Sequence, residues 1–479
     1  MADCNIPHRA KVLVVGGGGR EHAIVDALSR SSRVEKIFCA PGNAGIARQA
    51  KCVPLEDTQV DELAEFAENE GIDLTVVGPE VSLAAGIVDE FESRGLKIFG
   101  PSKAAARIES SKDFAKSLMA KYNVPTAAYR TFSDYNEALA YVNAGKLPIV
   151  LKYDGLAAGK GVVVAETLEE ADAALKDMLL DDKFGHGRVV VEEFLTGPEF
   201  SLLCFVNGSE VEPMVLAQDH KRAFDNDEGP NTGGMGAYTP LPFITERDEV
   251  YALEHVMKPI ASGMVSEGIP FRGVLYGGLM KTPDGIKVIE FNCRFGDPET
   301  EVVLPRLESD IFEIFWAVAN KSPMPLTKWS SDAVLGFVLA SKGYPGSYKK
   351  GFEIKGVDEV LKDPSVHVYH MGTSLKKFEG EGHEAFDKAG HSLVTNGGRV
   401  LMVLASAPSL QEAHDKALEA VRKIDCENLF HRTDIGHWAF AGSDNIEEVN
   451  YRGTEEEWNA ISIGWINSSL TNAKRNYIK

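Results

Sequence analysis

A glycine-rich loop between two short apolar runs is the first stretch whose residue types could do chemistry. The runs Ile149–Tyr153 and Val162–Ala165 are rich in β-branched residues and predict two strands. Between them lie Gly155, Gly159, Lys160 and Gly161. Glycines let backbone N–H groups approach an anion and the lysine adds positive charge, so the loop is predicted to bind phosphate. The spacing excludes a P-loop, and an ordinary glycine hairpin is the alternative.

A carboxylate and an amide near the end of a later predicted strand, Lys287–Asn292, suggest a metal site. Glu290 and Asn292 are two residues apart, so their side chains share one face of the strand. Carboxylate and amide oxygens suit Mg²⁺, a cation that also keeps substrate phosphates as ligands. Arg294 follows at once and adds positive charge. The alternative is a solvated strand face without a metal.

Two other polar groups stand out in the same half of the chain. Glu192 and Glu193 lie inside a valine-rich run, where at least one carboxylate must face inward or a cleft. Pairing of that carboxylate with a basic group is the structural alternative. Asp219 and Lys221 belong to a dense polar cluster, Gln218-Asp219-His220-Lys221-Arg222, ahead of a glycine-rich segment.

Near the N-terminus, four glycines follow a predicted strand at Lys11–Val15 and precede an amphipathic helix. N–H groups at a helix start bind phosphate well, so the Gly16–Gly19 turn is predicted to be an anion site. A dinucleotide fingerprint is disfavoured because Glu21 stands where its third glycine should be. A tight turn that serves only packing is the alternative.

Strands and helices alternate over the first hundred residues, which predicts a doubly wound parallel sheet. Asn43 and Glu80 follow predicted strands, so we expect them at the same sheet edge as the glycine turn. Pro101–Tyr122 is predicted to be helical and carries Lys112. The chain beyond Pro125 has the pattern of an α+β unit, and another α+β segment begins near Leu326.

Length and composition set the class of protein. A chain of 479 residues predicts about three domains. The net charge of −21 argues against nucleic-acid or anionic-membrane partners. We expect small-molecule substrates and a monomer or weak dimer. Six scattered cysteines without a C-x-x-C pair favour reduced thiols and a cytoplasmic location. No long apolar run predicts a signal peptide or a membrane span.

Ten motifs in order carry a resemblance to a known family: GGGGREH, APGNAG, VGPE, SSKDFAK, DGLAAGKGV, QDHKR, GPNTGGMGAY, IEFNCRFGDPE, ASKGYPG and TNGGRV. From about Lys11 to Gly436 the chain closely resembles the phosphoribosylamine–glycine ligases, or glycinamide ribonucleotide synthetases, of the ATP-grasp superfamily. The resemblance implies that ATP converts glycine to glycyl phosphate and that 5-phosphoribosylamine then displaces phosphate. The implied products are glycinamide ribonucleotide, ADP and phosphate, in de novo purine biosynthesis.

The resemblance also implies roles for individual residues. ATP would be bound by Lys112, Lys152, Gly155, Gly159, Lys160, Gly161, Glu192, Glu193, Leu195 and Glu199. Mg²⁺ or Mn²⁺ would be bound by Glu290 and Asn292. The implied catalytic residues are Asp219, Lys221 and Arg294. The substrates would be bound by Gly18, Gly19, Asn43, Glu80, Asp219, Arg294 and Lys342.

The predicted domains are an N-terminal α/β substrate-binding domain over 1–111 and an ATP-grasp domain over 112–322, with a lid subdomain at about 124–195. A small α+β domain over 323–442 and an extension over 443–479 follow. Residues 377–390 are interpreted as an insertion. A different ATP-grasp carboxylate–amine ligase is the alternative function. A nucleotide-binding regulator and a Rossmann oxidoreductase are disfavoured, the first because the whole set of candidate residues is intact.

Overall fold

The structure is a computed structural model that describes residues 6–155, 161–181, 187–377, 391–436, 448–452, 454, 458 and 474–478. The predictions for Gly159 and Lys160 lie outside the described residues. So do most of the predicted insertion over 377–390 and most of the predicted extension over 443–479.

The N-terminal part is a five-stranded parallel sheet with the strand order β3-β2-β1-β4-β5. Its strands are β1 (Ala10–Gly16), β2 (Val34–Pro41), β3 (Lys51–Cys52), β4 (Leu74–Val77) and β5 (Ile98–Phe99). The connecting helices are α1 (Gly19–Ser29), α2 (Val60–Glu70), α3 (Glu80–Ala85) and α4 (Ile87–Ser93). All four residues of β4 are buried, as expected for a strand covered on both faces. The predicted parallel α/β fold is confirmed.

The helix predicted over Pro101–Tyr122 is in fact two helices, α5 (Lys103–Ser110) and α6 (Lys112–Lys121). Ser111 between them has an extended backbone, and its Oγ caps α6 by accepting a hydrogen bond from the N–H of Phe114. Asp154 Oδ1 accepts hydrogen bonds from Ser111 Oγ and from the N–H of Asp113. The break therefore sets Lys112 at a helix start next to the glycine-rich loop.

The segment after α6 forms a separate four-stranded antiparallel sheet with the order β6-β9-β7-β8. Its strands are β6 (Tyr129–Phe132), β7 (Ile149–Tyr153), β8 (Val162–Ala165) and β9 (Val189–Glu193). Helices α7 (Tyr135–Ala144) and α8 (Leu168–Leu179) pack on it and share its small core. Strands β7 and β8 have the predicted bounds and pair with each other, so the loop between them closes a hairpin.

Eight strands and four helices follow. The strands are β10 (Glu199–Asn207), β11 (Glu210–Pro213), β12 (Gln218–Asp219), β13 (Arg222–Phe224), β14 (Glu228–Asn231), β15 (Gly236–Thr239), β16 (Arg272–Thr282) and β17 (Gly285–Asn292). The helices are α9 (Glu246–Ala252), α10 (Lys258–Ser266), α11 (Glu299–Val303) and α12 (Ile311–Ala319). Strands β11-β10-β16-β17 form one antiparallel sheet, and β13 pairs with β14.

The C-terminal sheet has the order β12-β15-β18-β22-β19, with β23 paired to β18. The remaining elements are β18 (Ala333–Ser341), α13 (Val357–Val360), β19 (Val366–His370), β20 (Thr373–Lys377), β21 (His391–Thr395), β22 (Arg399–Ala407), α14 (Leu410–Val421), β23 (Leu429–Phe430), β24 (Glu448–Arg452) and β25 (Lys474–Ile478). Two strands from the middle of the chain thus belong to this sheet. The α+β class is confirmed, and the domain boundaries stay predictions.

Two general features bear on the class of protein. Among the described residues, no helix combines the length and the apolar composition needed to cross a membrane. The five cysteines that the structure describes are free thiols, namely Cys39, Cys52, Cys204, Cys293 and Cys426.

A buried histidine pair joins the N-terminal sheet to the C-terminal sheet. The backbone N–H of His370 donates to His22 Nδ1 at 2.8 Å, which requires an unprotonated Nδ1. Burial lowers the pKa of His22 from the usual 6.5 to about 4 and the pKa of His370 well below its usual value. Both side chains therefore stay neutral at pH 7 in the folded protein.

Acidification should weaken this contact. As the pH falls from about 6.5 towards 4, the unfolded chain gains a proton on His22 that the folded protein does not bind, so stability is lost. We expect His22 to contribute a loss of about 1.3 kcal/mol in the free energy of unfolding between pH 7.5 and pH 5.5. Urea denaturation at both pH values measures it.

In His22→Gln this part of the pH dependence should disappear, whereas His255→Gln, at an exposed histidine, should keep it. An equal pH dependence in the wild type and in His22→Gln would contradict the buried neutral histidine.

Candidate active site

The candidate metal ligands are positioned by a one-residue irregularity in β17. Gly278 pairs with Glu290, but the next residue of β16, Leu279, pairs with Val288, so Ile289 is left over as a bulge. Val288 and Phe291 both point into the core. Without the bulge, Glu290 would fall on the same face as Val288. The extra residue therefore turns Glu290 and Asn292 together towards the cleft.

Positive charges surround Glu290. Burial by itself would raise the pKa of its carboxyl group, but Lys221, Lys152, Lys112 and Arg294 outweigh that effect and hold the pKa below its usual value. The side-chain oxygen of Asn292 accepts a long hydrogen bond of 3.4 Å from Arg294. No group of three or more acidic, histidine or cysteine side chains in the described part of the chain could hold a metal ion. Two oxygen ligands fit a cation that takes its other ligands from a phosphate and water.

Arg294 connects this site to the N-terminal domain. Its Nη2 donates to Glu109 Oε1 at 2.9 Å, and its Nε lies 3.4 Å from Glu80 Oε2. Burial would lower the pKa of Arg294, but Glu109 and Glu80 raise it overall, so the guanidinium keeps its charge. Arg20 of the glycine turn lies 3.9 Å from the same oxygen of Glu80. Charges of alternating sign thus run from the turn to the candidate metal ligands.

A buried cluster of two lysines and one glutamate lies between α6 and strands β7 and β9. Glu192 Oε2 is 3.0 Å from Lys116 Nζ and 3.1 Å from Lys152 Nζ, and the three side chains are at most 6% exposed. Burial lowers the pKa of Lys116 to about 8. Lys152 also donates to the carbonyl oxygen of Ile289 at the bulge. Glu193, the other carboxylate of the predicted pair, points outward and binds Lys287.

The first end of the glycine-rich loop, at Gly155, lies against Lys112. Its Nζ donates to the carbonyl oxygen of Gly155 at 3.2 Å. Burial lowers the pKa of Lys112, and the negative charge of Glu290 partly offsets the effect. Lys112 and Lys152 are therefore close enough to Glu290 to act on the same ligand. Gly161 and the half-buried Leu195 are also described, but no side-chain contact assigns them a role.

A small cavity beside Glu290 contains the two candidate catalytic residues of the polar cluster. It is lined by Glu199, Ser201, Asp219, Lys221, Tyr276 and Glu290, with Gly278 and Ile289 among its backbone walls. Lys221 Nζ lies 3.1 Å from Glu199 Oε2. Burial raises the pKa of Asp219 to about 7 against the opposing effect of Lys221, and the carboxylates Glu299, Glu199 and Glu290 add to the rise.

A carboxylate of the protein itself lies at the glycine turn, where the sequence predicts a bound phosphate. The N–H of Gly18 donates to Glu21 Oε2 at 2.6 Å, so a carboxylate holds one of the donors that we expected to face phosphate. A side chain at Gly19 would collide with the carboxylate of Glu301. The side-chain amide of Asn43 donates to the carbonyls of Gly17 and His370, so its contribution to a substrate site would be to hold this turn.

Lys342 lies at the end of β18 and donates to the carbonyl oxygen of Glu427. Among the described residues, no hydrogen bond or ion pair brings it to another candidate side chain.

The structure also contains site residues that the sequence reasoning did not single out. Lys116 follows Lys112 by four residues, so the helical period could have indicated that both share one face. Glu109 and Tyr276 carry no sequence signal of this kind. Arg399, within the motif TNGGRV, lies 2.8 Å from Asp297 Oδ1.

Three models of one protein family match most of the chain. The phosphoribosylglycinamide synthetase N domain matches residues 10–109, the ATP-grasp (A) domain matches residues 110–300, and the C domain matches residues 334–438.

Similar proteins are known in sequence and in structure. A phosphoribosylamine–glycine ligase of Halalkalibacterium halodurans is 52% identical over 432 residues, which cover 90% of this chain and 97% of that protein. One of Listeria innocua is 50% identical, with 89% and 99% covered. The crystal structure of phosphoribosylamine–glycine ligase from Thermotoga maritima matches with a TM-score of 0.75 at 32% identity and covers 89% of this chain and all of that one. A biotin carboxylase domain from Hydrogenobacter thermophilus, at 15% identity and a TM-score of 0.64 over 88% of this chain and 91% of that one, shares the fold.

Removing the charge of Glu192 should destabilise the protein, because two buried lysines would lose their only carboxylate partner in the cluster. We expect Glu192→Gln to lower the free energy of unfolding by about 3 kcal/mol. The neighbouring Glu193→Gln is the matched control, because that carboxylate is 45% exposed, and should cost less than about 1 kcal/mol. Urea denaturation measures both. Equal effects of the two substitutions would contradict the buried cluster.

Proposed function

Because the chain belongs to the phosphoribosylglycinamide synthetase family, we propose that it uses ATP to join glycine to 5-phosphoribosylamine. The products are glycinamide ribonucleotide, ADP and phosphate, in de novo purine biosynthesis. The relatives named phosphoribosylamine–glycine ligase support this reaction. A ligase for a different acid or amine, the alternative that the sequence left open, is not favoured.

The proposal depends on one observation: lysines from other elements surround Glu290 of β17. Glu290 and Asn292 face the cleft with Lys112 and Lys152 on the lid side and the cavity of Asp219 and Lys221 on the other. Phosphoryl transfer needs positioning and neutralisation of charge more than covalent help from the protein. The groups around Glu290 can both position a phosphate and neutralise its charge.

The proposed chemistry has two steps. A carboxylate oxygen of glycine attacks the γ-phosphorus of ATP, the bond to the β-phosphate oxygen breaks, and ADP leaves with the electron pair. The amine of phosphoribosylamine then attacks the carbonyl carbon of glycyl phosphate, loses a proton and expels phosphate. We assign Lys112 and Lys152 to the ATP phosphates, and Arg294 and Lys221 to the carboxylate that is activated. Asp219 is assigned to the ammonium group of glycine.

The divalent cation is proposed to be Mg²⁺ or Mn²⁺, held by Glu290 and Asn292. It would neutralise charge on the transferring phosphate. Glu192, Glu193 and Leu195 are proposed to face adenine, and Glu199 the ribose of ATP. Gly155, Gly159, Lys160 and Gly161 are proposed to cover the phosphates. The proposed state in solution, a monomer or weak dimer, is measurable by sedimentation.

The amine substrate is proposed to bind between the glycine turn and the C-terminal domain. Gly18, Gly19, Asn43 and Glu80 remain its proposed contacts or supports. Three acidic side chains lie at this turn, those of Glu21, Asp297 and Glu301, and burial raises the pKa of Glu301 well above its usual value. Carboxylates accept hydrogen bonds from hydroxyl and amine groups and repel phosphate. We therefore assign the ribosylamine part of the substrate to the turn and its phosphate to a cation such as Lys342.

A coupled assay tests the proposed function as a whole. The protein is incubated with ATP, glycine and freshly prepared phosphoribosylamine, and ADP release and the mass of the product are measured. We expect glycinamide ribonucleotide in stoichiometric amounts with ADP, only when all three substrates are present. ADP release that depends on another acid and not on glycine would overturn the proposal.

Loss of the carboxylate at the bulge should abolish this activity. In Glu290→Ala the candidate metal site loses its only charged ligand, so we expect turnover to fall by at least 10³-fold at saturating Mg²⁺. The variant should still fold, which circular dichroism checks, so the loss of turnover is not a loss of the folded protein. Near-normal activity of this variant would contradict the assignment of the metal site.

Loss of the charge at Lys342 should affect one substrate only. For Lys342→Met we expect a rise of about tenfold in the KM for phosphoribosylamine, because an exposed cation near a phosphate contributes on the order of 1–2 kcal/mol. The KM values for ATP and glycine should change less than twofold. Lys350→Met, at a nearby exposed lysine, is the control. If all three KM values were unchanged, Lys342 would have no part in substrate binding.

A further inference from the structure

One face of the β11-β10-β16-β17 sheet gathers side chains from three adjacent strands. Residues directly opposite each other in antiparallel strands share a face. Ser201 of β10 pairs with Gly278 of β16, and Gly278 pairs with Glu290 of β17. Tyr276 lies two residues from Gly278 and pairs with Asn292. Ser201 and Tyr276 therefore share a face with the candidate metal ligands.

The Tyr276 hydroxyl is fixed by a triangle of hydrogen bonds. It donates to Glu299 Oε1 at 2.9 Å, Ser201 Oγ lies 3.1 Å from the same carboxylate oxygen, and the two hydroxyl oxygens are 2.9 Å apart. A carboxylate can only accept, so Glu299 draws both hydroxyl protons towards itself. The Tyr276 oxygen then keeps lone pairs that can accept a hydrogen bond from a ligand in the cavity.

The cavity in front of Tyr276 has the acceptors to hold a cationic ligand. Its side-chain walls include the carboxylates of Glu199, Asp219 and Glu290 but only one cation, Lys221. Asp219 and Lys221 both lie within electrostatic reach of the Tyr276 hydroxyl. A ligand with three N–H donors and a positive charge would satisfy acceptors on different walls at once. The ammonium group of an amino acid has that chemistry.

We propose that Tyr276 is a substrate-binding residue that accepts a hydrogen bond from the ammonium group of glycine, with Ser201 and Glu299 as its positioning residues. This inference rests on the proposed function and deepens it. Asp219 supplies the countercharge, and the Tyr276 oxygen fixes the direction of the ammonium group. The carboxylate of glycine is thereby left to face Lys221 and Arg294, where it is activated.

Substitution of Tyr276 by Phe removes only the hydroxyl group and so tests the hydrogen bond. We expect the KM for glycine to rise about tenfold, since a hydrogen bond to a charged group is lost. The KM values for ATP and phosphoribosylamine and the Mg²⁺ dependence should change less than twofold. Inhibition by acetate, which keeps the carboxylate and has no hydrogen-bond donor in place of the ammonium group, should be unchanged, so the selectivity for glycine over acetate falls.

Tyr369→Phe is the matched control. It also removes the hydroxyl group of a buried tyrosine that donates to a carboxylate, in this case that of Asp26 in α1. It should leave the KM for glycine unchanged. An unchanged KM for glycine in Tyr276→Phe would overturn the inference. So would an equal rise in all KM values, which indicates a structural role, or a shift confined to the Mg²⁺ dependence, which indicates a role at the metal. A wild-type protein that turns over an acid without an ammonium group, and not glycine, would overturn both this inference and the proposed function.

Discussion

The active site depends on the bulge at Ile289 of strand β17. The bulge determines where Glu290 points and gives Lys152 a carbonyl oxygen to bind. The bulge lets Val288 fill the core while Glu290 faces the cleft. A bulge leaves backbone groups without ladder partners, and a buried carbonyl needs a donor. Lys152 of the lid sheet donates to the carbonyl of Ile289, so the irregularity also links two sheets that are separate in the sequence.

Ion pairs of Glu80 join the N-terminal domain to the active site. Glu80 lies at the start of α3, where the helix dipole favours a carboxylate, and it faces both Arg20 and Arg294. Burial alone would raise the pKa of Glu80, but the two arginines hold it below the usual value. Because Arg294 also contacts Asn292, a continuous series of charged and polar contacts joins the glycine turn to the candidate metal ligands.

Much of this fold follows from local sequence patterns, and the parts that do not follow have physical causes. Strands β7 and β8 have the predicted bounds because glycine or proline interrupts short β-branched runs. The single helix predicted across Ser111 is wrong, although serine is a favoured N-cap residue, and a long-range contact with Asp154 holds the break. Strict alternation along β17 predicts no bulge at Ile289 and would have placed Glu290 on the buried face of Val288. The sequence pattern shows Glu21 only as a departure from the dinucleotide fingerprint. In the structure its carboxylate accepts a hydrogen bond from the N–H of Gly18 in the turn.

Charge is distributed unequally on the two sides of the bulge, and this asymmetry bears on how a ligand orients. On the side of α6 and β7, Lys112, Lys116 and Lys152 gather near the carboxylate of Glu192, with Asp154 and Glu109 also close to Lys112. On the cavity side the carboxylates of Glu199, Asp219 and Glu290 exceed the single cation of Lys221. In a partly buried cleft such fields are poorly screened. A zwitterion that binds beside Glu290 therefore places its positive group at the carboxylates of the cavity and its own carboxylate towards Lys221 and Arg294. That orientation places the carboxylate next to any phosphate that the lysines hold, which is the arrangement that an acyl phosphate requires.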